Sequence, residues 1–206
     1  ILQVSVGAEI KGMDPIYSSD LYSSMEIARV YEGLLEYHYL KRPYTLVPNL
    51  AESMPVVSAD GLTYTFKIKK GVFFQDDSCF SSGKGKELKA DDFVYSIKRL
   101  ADPKLQSLGW WVLQDRLAGL DDWRKKYADA PTVNYNDVVE GVKKIDDYTL
   151  EFKLKAPFPQ FLYALAMPFT YVVAREAVEK YGKEFINHPV GTGPYVLPLF
   201  TQSNRI

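Results

Sequence analysis

Cys79 is the one thiol in this chain, and His38 and His188 are its two imidazoles, 150 positions apart. A cysteine nucleophile needs a base to make it a thiolate, and no local spacing couples either histidine to Cys79. A lone thiol forms no internal disulfide, and one cysteine with two distant histidines makes no four-ligand zinc site. Gly83-Lys84-Gly85-Lys86 has the glycines and lysines of a phosphate loop without the GxxxxGK[ST] spacing, and Glu87 follows where a hydroxyl is needed. Gly191-Thr192-Gly193-Pro194-Tyr195 is no dinucleotide fingerprint, because Pro194 and the missing third glycine spoil it; it reads as a tight turn into a strand near Tyr195. The adjacent carboxylates Asp76-Asp77, Asp91-Asp92 and Asp121-Asp122 suit turns and helix starts, not the separated pair of a glycosidase. No catalytic residue, metal ligand or cofactor is assigned, and the chemistry expected is binding without reaction.

The elements that must position any such site follow from hydrophobic periodicity. Ile1 to Ala8 reads as a strand, and Gly12-Met13-Asp14-Pro15 as a turn. A helix follows, capped by Ser23 with Glu26 or by Ser19 or Asp20, with Ile27, Val30, Tyr31, Leu34 and Leu35 as its apolar stripe. Residues 42–55, broken by Pro43, Pro48 and Pro55, are expected to be irregular. Behind the Asp60-Gly61 turn, Leu62, Tyr64, Phe66 and Ile68 alternate with polar residues, and behind Asp146-Asp147 so do Tyr148, Leu150, Phe152 and Leu154. Two such hairpins predict one mainly antiparallel sheet that closes late in the chain. Helices are expected from Ala90 to Leu100, near Asp121 to Tyr127, through Gln160 to Ala166, and from Arg175 to Tyr181 with Gly182 as C-cap.

The whole is an ordinary globular composition of 206 residues, 47% hydrophobic and 14% aromatic. Twenty-five Lys and Arg against twenty-six Asp and Glu leave a net charge of -1, with no basic excess for a phosphate backbone, so nucleic acid is not an expected partner. The uncharged stretch from Ala156 to Ala174 has the length of a membrane span, but Pro157, Pro159, Gln160 and Pro168 interrupt it. No charged leader opens the chain, which is therefore either cytosolic or stripped of a signal peptide.

Several segments, in order, resemble the solute-binding proteins of bacterial ABC importers, extracellular family 5, which includes the dipeptide- and oligopeptide-binding proteins. They are Met13-Asp14-Pro15, Tyr31-Glu32-Gly33-Leu34-Leu35, Pro48-Asn49-Leu50-Ala51-Glu52-Ser53, Asp60-Gly61-Leu62-Thr63-Tyr64-Thr65-Phe66 and Lys69-Lys70-Gly71-Val72-Phe73-Phe74. Ala90-Asp91-Asp92-Phe93-Val94-Tyr95-Ser96, Ala156-Pro157-Phe158-Pro159 and Pro189 through Tyr195 complete the series.

The resemblance implies a mixed α/β fold, the N-terminal portion of a two-lobed periplasmic-binding-protein-like architecture with an extra, mainly antiparallel sheet subdomain. Residues 1–38 and 172–206 would belong to the first ligand-binding lobe and residues 39–171 to the inserted subdomain, with the second lobe absent from this chain. The implied function is capture of di- or oligopeptides for an importer. Nickel complexes, sugars, or a scaffolding role without solute binding are the alternatives. The implied ligand contacts are Asp20 and Leu21, after the Asp-Pro motif, and Trp110 and Trp111, where Gly109 stands at the place of an expected aromatic. The implied partners are a peptide or other small solute and a membrane permease, and the protein itself would be a monomer, periplasmic or lipid-anchored. Residues 78–89, longer than the family's usual connection, should form a loop excursion.

Overall fold

The computed structural model describes residues 9–197. The strand expected over residues 1–8 therefore lies outside the described residues. Residues 195–197 have no regular structure, and the remainder of the strand expected near Tyr195 also falls outside.

Asp14 opens a short 3-10 turn, Pro15–Tyr17, with its carboxylate accepting the Ile16 N–H. Helix α1, Leu21–Val30, is capped by Asp20, whose carboxylate accepts the Ser23 N–H, so of the candidate caps Asp20 is the one used. The apolar stripe runs on to Leu35, but the helix does not: Tyr31 is already extended (φ -113°, ψ 155°) and Leu35 begins a strand. Tertiary bonds end it. The carbonyls of Arg29 and Val30 accept the N–H groups of Tyr195 (3.2 Å) and Gly193 (2.8 Å) from the late Gly-Thr-Gly-Pro turn. Gly191 is required at this joint, since a Cβ there would stand 1.9 Å from the Val30 carbonyl oxygen.

Strands β1, Leu35–Tyr37, and β2, Leu46–Pro48, pair as a two-stranded antiparallel ribbon. This corrects the expectation of irregular chain around Pro48. A proline costs no ladder bond at the outer side of a two-stranded ribbon.

The main sheet holds β3, Val56–Val57, β4, Thr63–Lys67, β5, Val142–Asp146, and β6, Thr149–Lys153, in the order β3-β4-β6-β5, all antiparallel. The two hairpins read from the sequence thus meet along β4 and β6, with Tyr64 opposite Phe152 and Phe66 opposite Leu150. Phe66, Ile68, Leu150, Phe152 and Leu154 are buried, and the Phe66 and Phe152 rings meet edge to face at 5.9 Å.

Helix α2, Ala90–Ala101, lies on this sheet through Phe93, Ile97 and Leu100. Its last-turn cations, Lys98 and Arg99, are both buried. The Lys98 ammonium donates to the carbonyls of Tyr135 (2.9 Å) and Asp137 (2.5 Å), and Arg99 reaches Asp14. Helices α3, Leu120–Ala128, α4, Phe161–Ala164, and α5, Arg175–Tyr181, fall where periodicity put them, and Gly182 takes a positive φ (52°) at the end of the last. Among the described residues no helix is long and apolar enough to cross a membrane. The 78–89 excursion folds back on the chain, with Phe74 N–H on the Lys86 carbonyl and Leu88 N–H on the Val72 carbonyl.

Candidate ligand-binding site

The Asp-Pro turn is held from beneath by an ion pair. Arg99 donates to both oxygens of Asp14, at 2.7 and 2.5 Å, with the two side chains only 4% and 3% exposed. Burial works against the guanidinium charge, but the facing Asp14 carboxylate outweighs it and holds Arg99 above its ordinary pKa. Helix α2, which packs on the main sheet, thereby fixes the segment that leads into α1.

Asp20 and Leu21 stand at the start of that helix. The Asp20 carboxylate accepts the Ser23 N–H (2.9 Å) and the Ser23 hydroxyl (2.8 Å), and its carbonyl accepts from Ser24. Desolvation raises the carboxyl most of any single influence, but the two Ser23 bonds, with the nearby Lys11 charge, together outweigh it and keep the carboxyl below its usual range. Asp20 is thus occupied in positioning the helix, whereas Leu21 points its side chain to solvent at 68% exposure.

Trp110 and Trp111 sit together in a 3-10 turn, Trp110–Val112, and are treated differently by the fold. Trp110 is half-buried, its ring covered by the Arg124 guanidinium at 4.9 Å. Trp111 is 61% exposed and rests edge-on against Phe169 at 6.3 Å. The neighbouring Leu108 is also exposed.

The stretch before α1 is bonded to the stretch before the tryptophans. The Ile16 carbonyl accepts the Leu108 N–H (3.1 Å) and the Ser107 hydroxyl (3.0 Å), and the Tyr17 hydroxyl donates to the Leu105 carbonyl (2.5 Å). Phe169 belongs to a second short turn, Pro168–Thr170, that packs against both the Pro15–Tyr17 turn and α1. This explains Gly109: a Cβ there would stand 2.3 Å from the Phe169 ring, so the aromatic at this place comes from a segment sixty residues later. Phe169 and Leu108 were not among the residues singled out from sequence, and no local signal marks either.

The thiol and one of the imidazoles lie elsewhere in the fold, joined by a carboxylate. Asp77 links Cys79 and His188 after all, its carboxylate accepting the Cys79 N–H (2.7 Å) and the Tyr181 hydroxyl (2.6 Å) and lying 3.1 Å from His188 Nε2. Burial, reinforced by Asp77, pushes the Cys79 thiol up to about 12, which keeps it a protonated, weakly nucleophilic thiol. A groove of about 540 Å³ between α2 and residues 135–144 lies apart from Trp111 and is walled by charges that pair with one another, Lys86 with Asp92 and Glu176 and Lys144 with Asp91.

The mixed α/β arrangement with its antiparallel sheets is a periplasmic-binding-protein-like fold. Residues 45–206 match the family described as bacterial extracellular solute-binding proteins, family 5 middle, and the chain belongs to that family. It is 32% identical over 211 residues to di/tripeptide-binding protein 2 of Pseudomonas aeruginosa, covering all of this chain and 36% of that protein. It is 33% identical over 203 residues to the glutathione-binding protein GsiB of Escherichia coli, covering 98% of this chain and 33% of that one. Among solved structures, the substrate-binding domain of an oligopeptide ABC transporter from Bacillus anthracis superposes with a TM-score of 0.78 at 27% identity, over 97% of this chain and 35% of that chain. The Escherichia coli murein tripeptide binding protein MppA superposes with a TM-score of 0.75 at 26% identity, over 96% of this chain and 35% of that chain. The chain spans about a third of the length of these relatives.

Proposed function

We propose that the chain is part of a receptor that captures di- or oligopeptides outside the cytoplasmic membrane and delivers them to the permease of an ABC importer. The observation that carries this reading is Trp111, a large ring left open on a Phe169 support, Phe169 belonging to a turn that also packs against α1. A monomer leaves such a ring in water at a cost, and apolar surface with backbone groups nearby is what a peptide-gripping cleft requires. Family membership and the peptide ligands in the relatives' names support the solute class. On this reading residues 1–38 and 172–206 form part of the ligand-binding lobe and residues 39–171 the inserted subdomain. Asp20 sets the start of α1, Leu21 and Trp111 face the ligand, and Trp110 serves mainly as packing beneath Trp111.

The test is made in a protein of the relatives' length carrying this segment. Trp111→Ala should weaken peptide binding about 10- to 100-fold by calorimetry with the thermal midpoint nearly unchanged. Trp110→Ala should instead lower the midpoint. Unchanged peptide affinity in Trp111→Ala would remove the support for this site.

A further inference from the structure

The β1–β2 ribbon ends in a tip that the site does not use. Residues 39–45 are exposed in an unbroken run, with Tyr39 at 88%, Leu40 at 77% and Tyr44 at 63% exposure. The tip is nonetheless built. His38 N–H donates to the Thr45 carbonyl (2.8 Å), closing the loop, and His38 Nδ1 accepts the N–H groups of Leu40 and Lys41, both at 3.2 Å. At its base Tyr37 packs on Tyr44 at 5.8 Å and on Tyr163 at 6.2 Å, and the Arg42 guanidinium covers the Tyr44 ring at 4.5 Å.

The charge of this tip has one sign. Between Glu36 and Glu52 the sequence has no carboxylate, while it holds Lys41 and Arg42. Glu36 alternates with Leu35 and Tyr37 along β1 and so lies on the other face of the ribbon from Tyr37. Arg42 donates only to the Tyr39 and Lys41 carbonyls, and among the described residues neither cation forms a salt bridge.

We propose that residues 38–45 dock on the surface of an anionic phospholipid bilayer, with Tyr39 and Leu40 entering the headgroup boundary and Lys41 and Arg42 meeting phosphates. Tyrosine rings and leucine beside cations are what the membrane–water interface takes up, and uncompensated positive charge complements its negative potential. The convex shape favours lipid over protein. A stable protein interface engages about 20 to 30 residues a side, far more than this tip presents, whereas a narrow tip can enter a headgroup layer.

The test is sedimentation of the 206-residue chain with vesicles of phosphatidylcholine containing phosphatidylglycerol and with phosphatidylcholine alone. Binding should require the anionic lipid and weaken with salt. Each cation near such a surface contributes about fivefold to partitioning, so Lys41→Glu with Arg42→Glu should reduce it about 25-fold or more. Tyr39→Ser with Leu40→Ser should reduce it while preserving the circular dichroism spectrum and thermal midpoint, because both side chains already stand in solvent. As a readout that needs no variant, brominated phosphatidylcholine within the anionic vesicles should quench tyrosine emission. No sedimentation, equal binding to neutral vesicles, salt-independent binding, or absent quenching would each overturn the proposal. So would a wild-type dimer that the Tyr39→Ser, Leu40→Ser variant dissociates, which would assign the tip to self-association.

Discussion

Asp14 and Arg99 are so nearly removed from water that neither charge is tolerable without the other. Removing one partner of such a pair costs about 3 to 5 kcal/mol, because it strands a buried charge, whereas replacing both with apolar groups of similar volume is often nearly neutral. Asp14→Ala should therefore lower stability by about that amount in urea unfolding, and Asp14→Leu with Arg99→Met should recover most of it. Comparable losses in the single and double variants would mean that the pair holds no mutual compensation. At this same scale the two tryptophans divide. Their adjacency in sequence says nothing of which faces solvent, since that depends on Arg124 from α3 and Phe169 from a later turn.

Strands β4 and β6 show what alternation does specify at the level of elements. A period of two places Phe66 and Phe152 each on the dry face of its strand, and the observed register makes them diagonal neighbours across β4 and β6. Phe66→Ala and Phe152→Ala should each cost about 3 to 5 kcal/mol through the cavity they leave, while Thr65→Ala, on the other face, should change little. Equal denaturant midpoints for Phe66→Ala and Thr65→Ala would refute the face assignment. Helix α1 shows the opposite case. Tyr31, Leu34 and Leu35 continue its apolar stripe and are all buried, yet they belong to an extended connection and a strand. Periodicity reports burial, and the choice of element was made by Gly193 and Tyr195 taking the last carbonyls of the helix.

At the scale of the whole molecule, the proposed ligand-facing surface is the open one around Trp111. Small-ligand sites commonly enclose about 70 to 90% of the ligand surface, and an open face such as that at Trp111 does not do so alone. Calorimetry of the 206-residue chain with di- to pentapeptides should therefore detect no binding at micromolar concentrations, and micromolar affinity would show that this face needs no second wall.

What the sequence by itself determined is what short-range physics controls. The helices α2, α3 and α5, the Asp60-Gly61 hairpin turn, the dry faces of β4 and β6, and the absence of a phosphate-loop or dinucleotide motif all depend on residues within a few positions of one another. The series of short motifs was likewise enough to reveal the family. Only the tertiary structure decided which distant side chains lie together. Arg99 beneath Asp14, Phe169 filling the place of Gly109, and Asp77 between Cys79 and His188 are contacts across 85, 60 and up to 111 positions. Such contacts leave no periodic trace, because each depends on where separate elements come to rest against a shared core and not on the local preference of either partner.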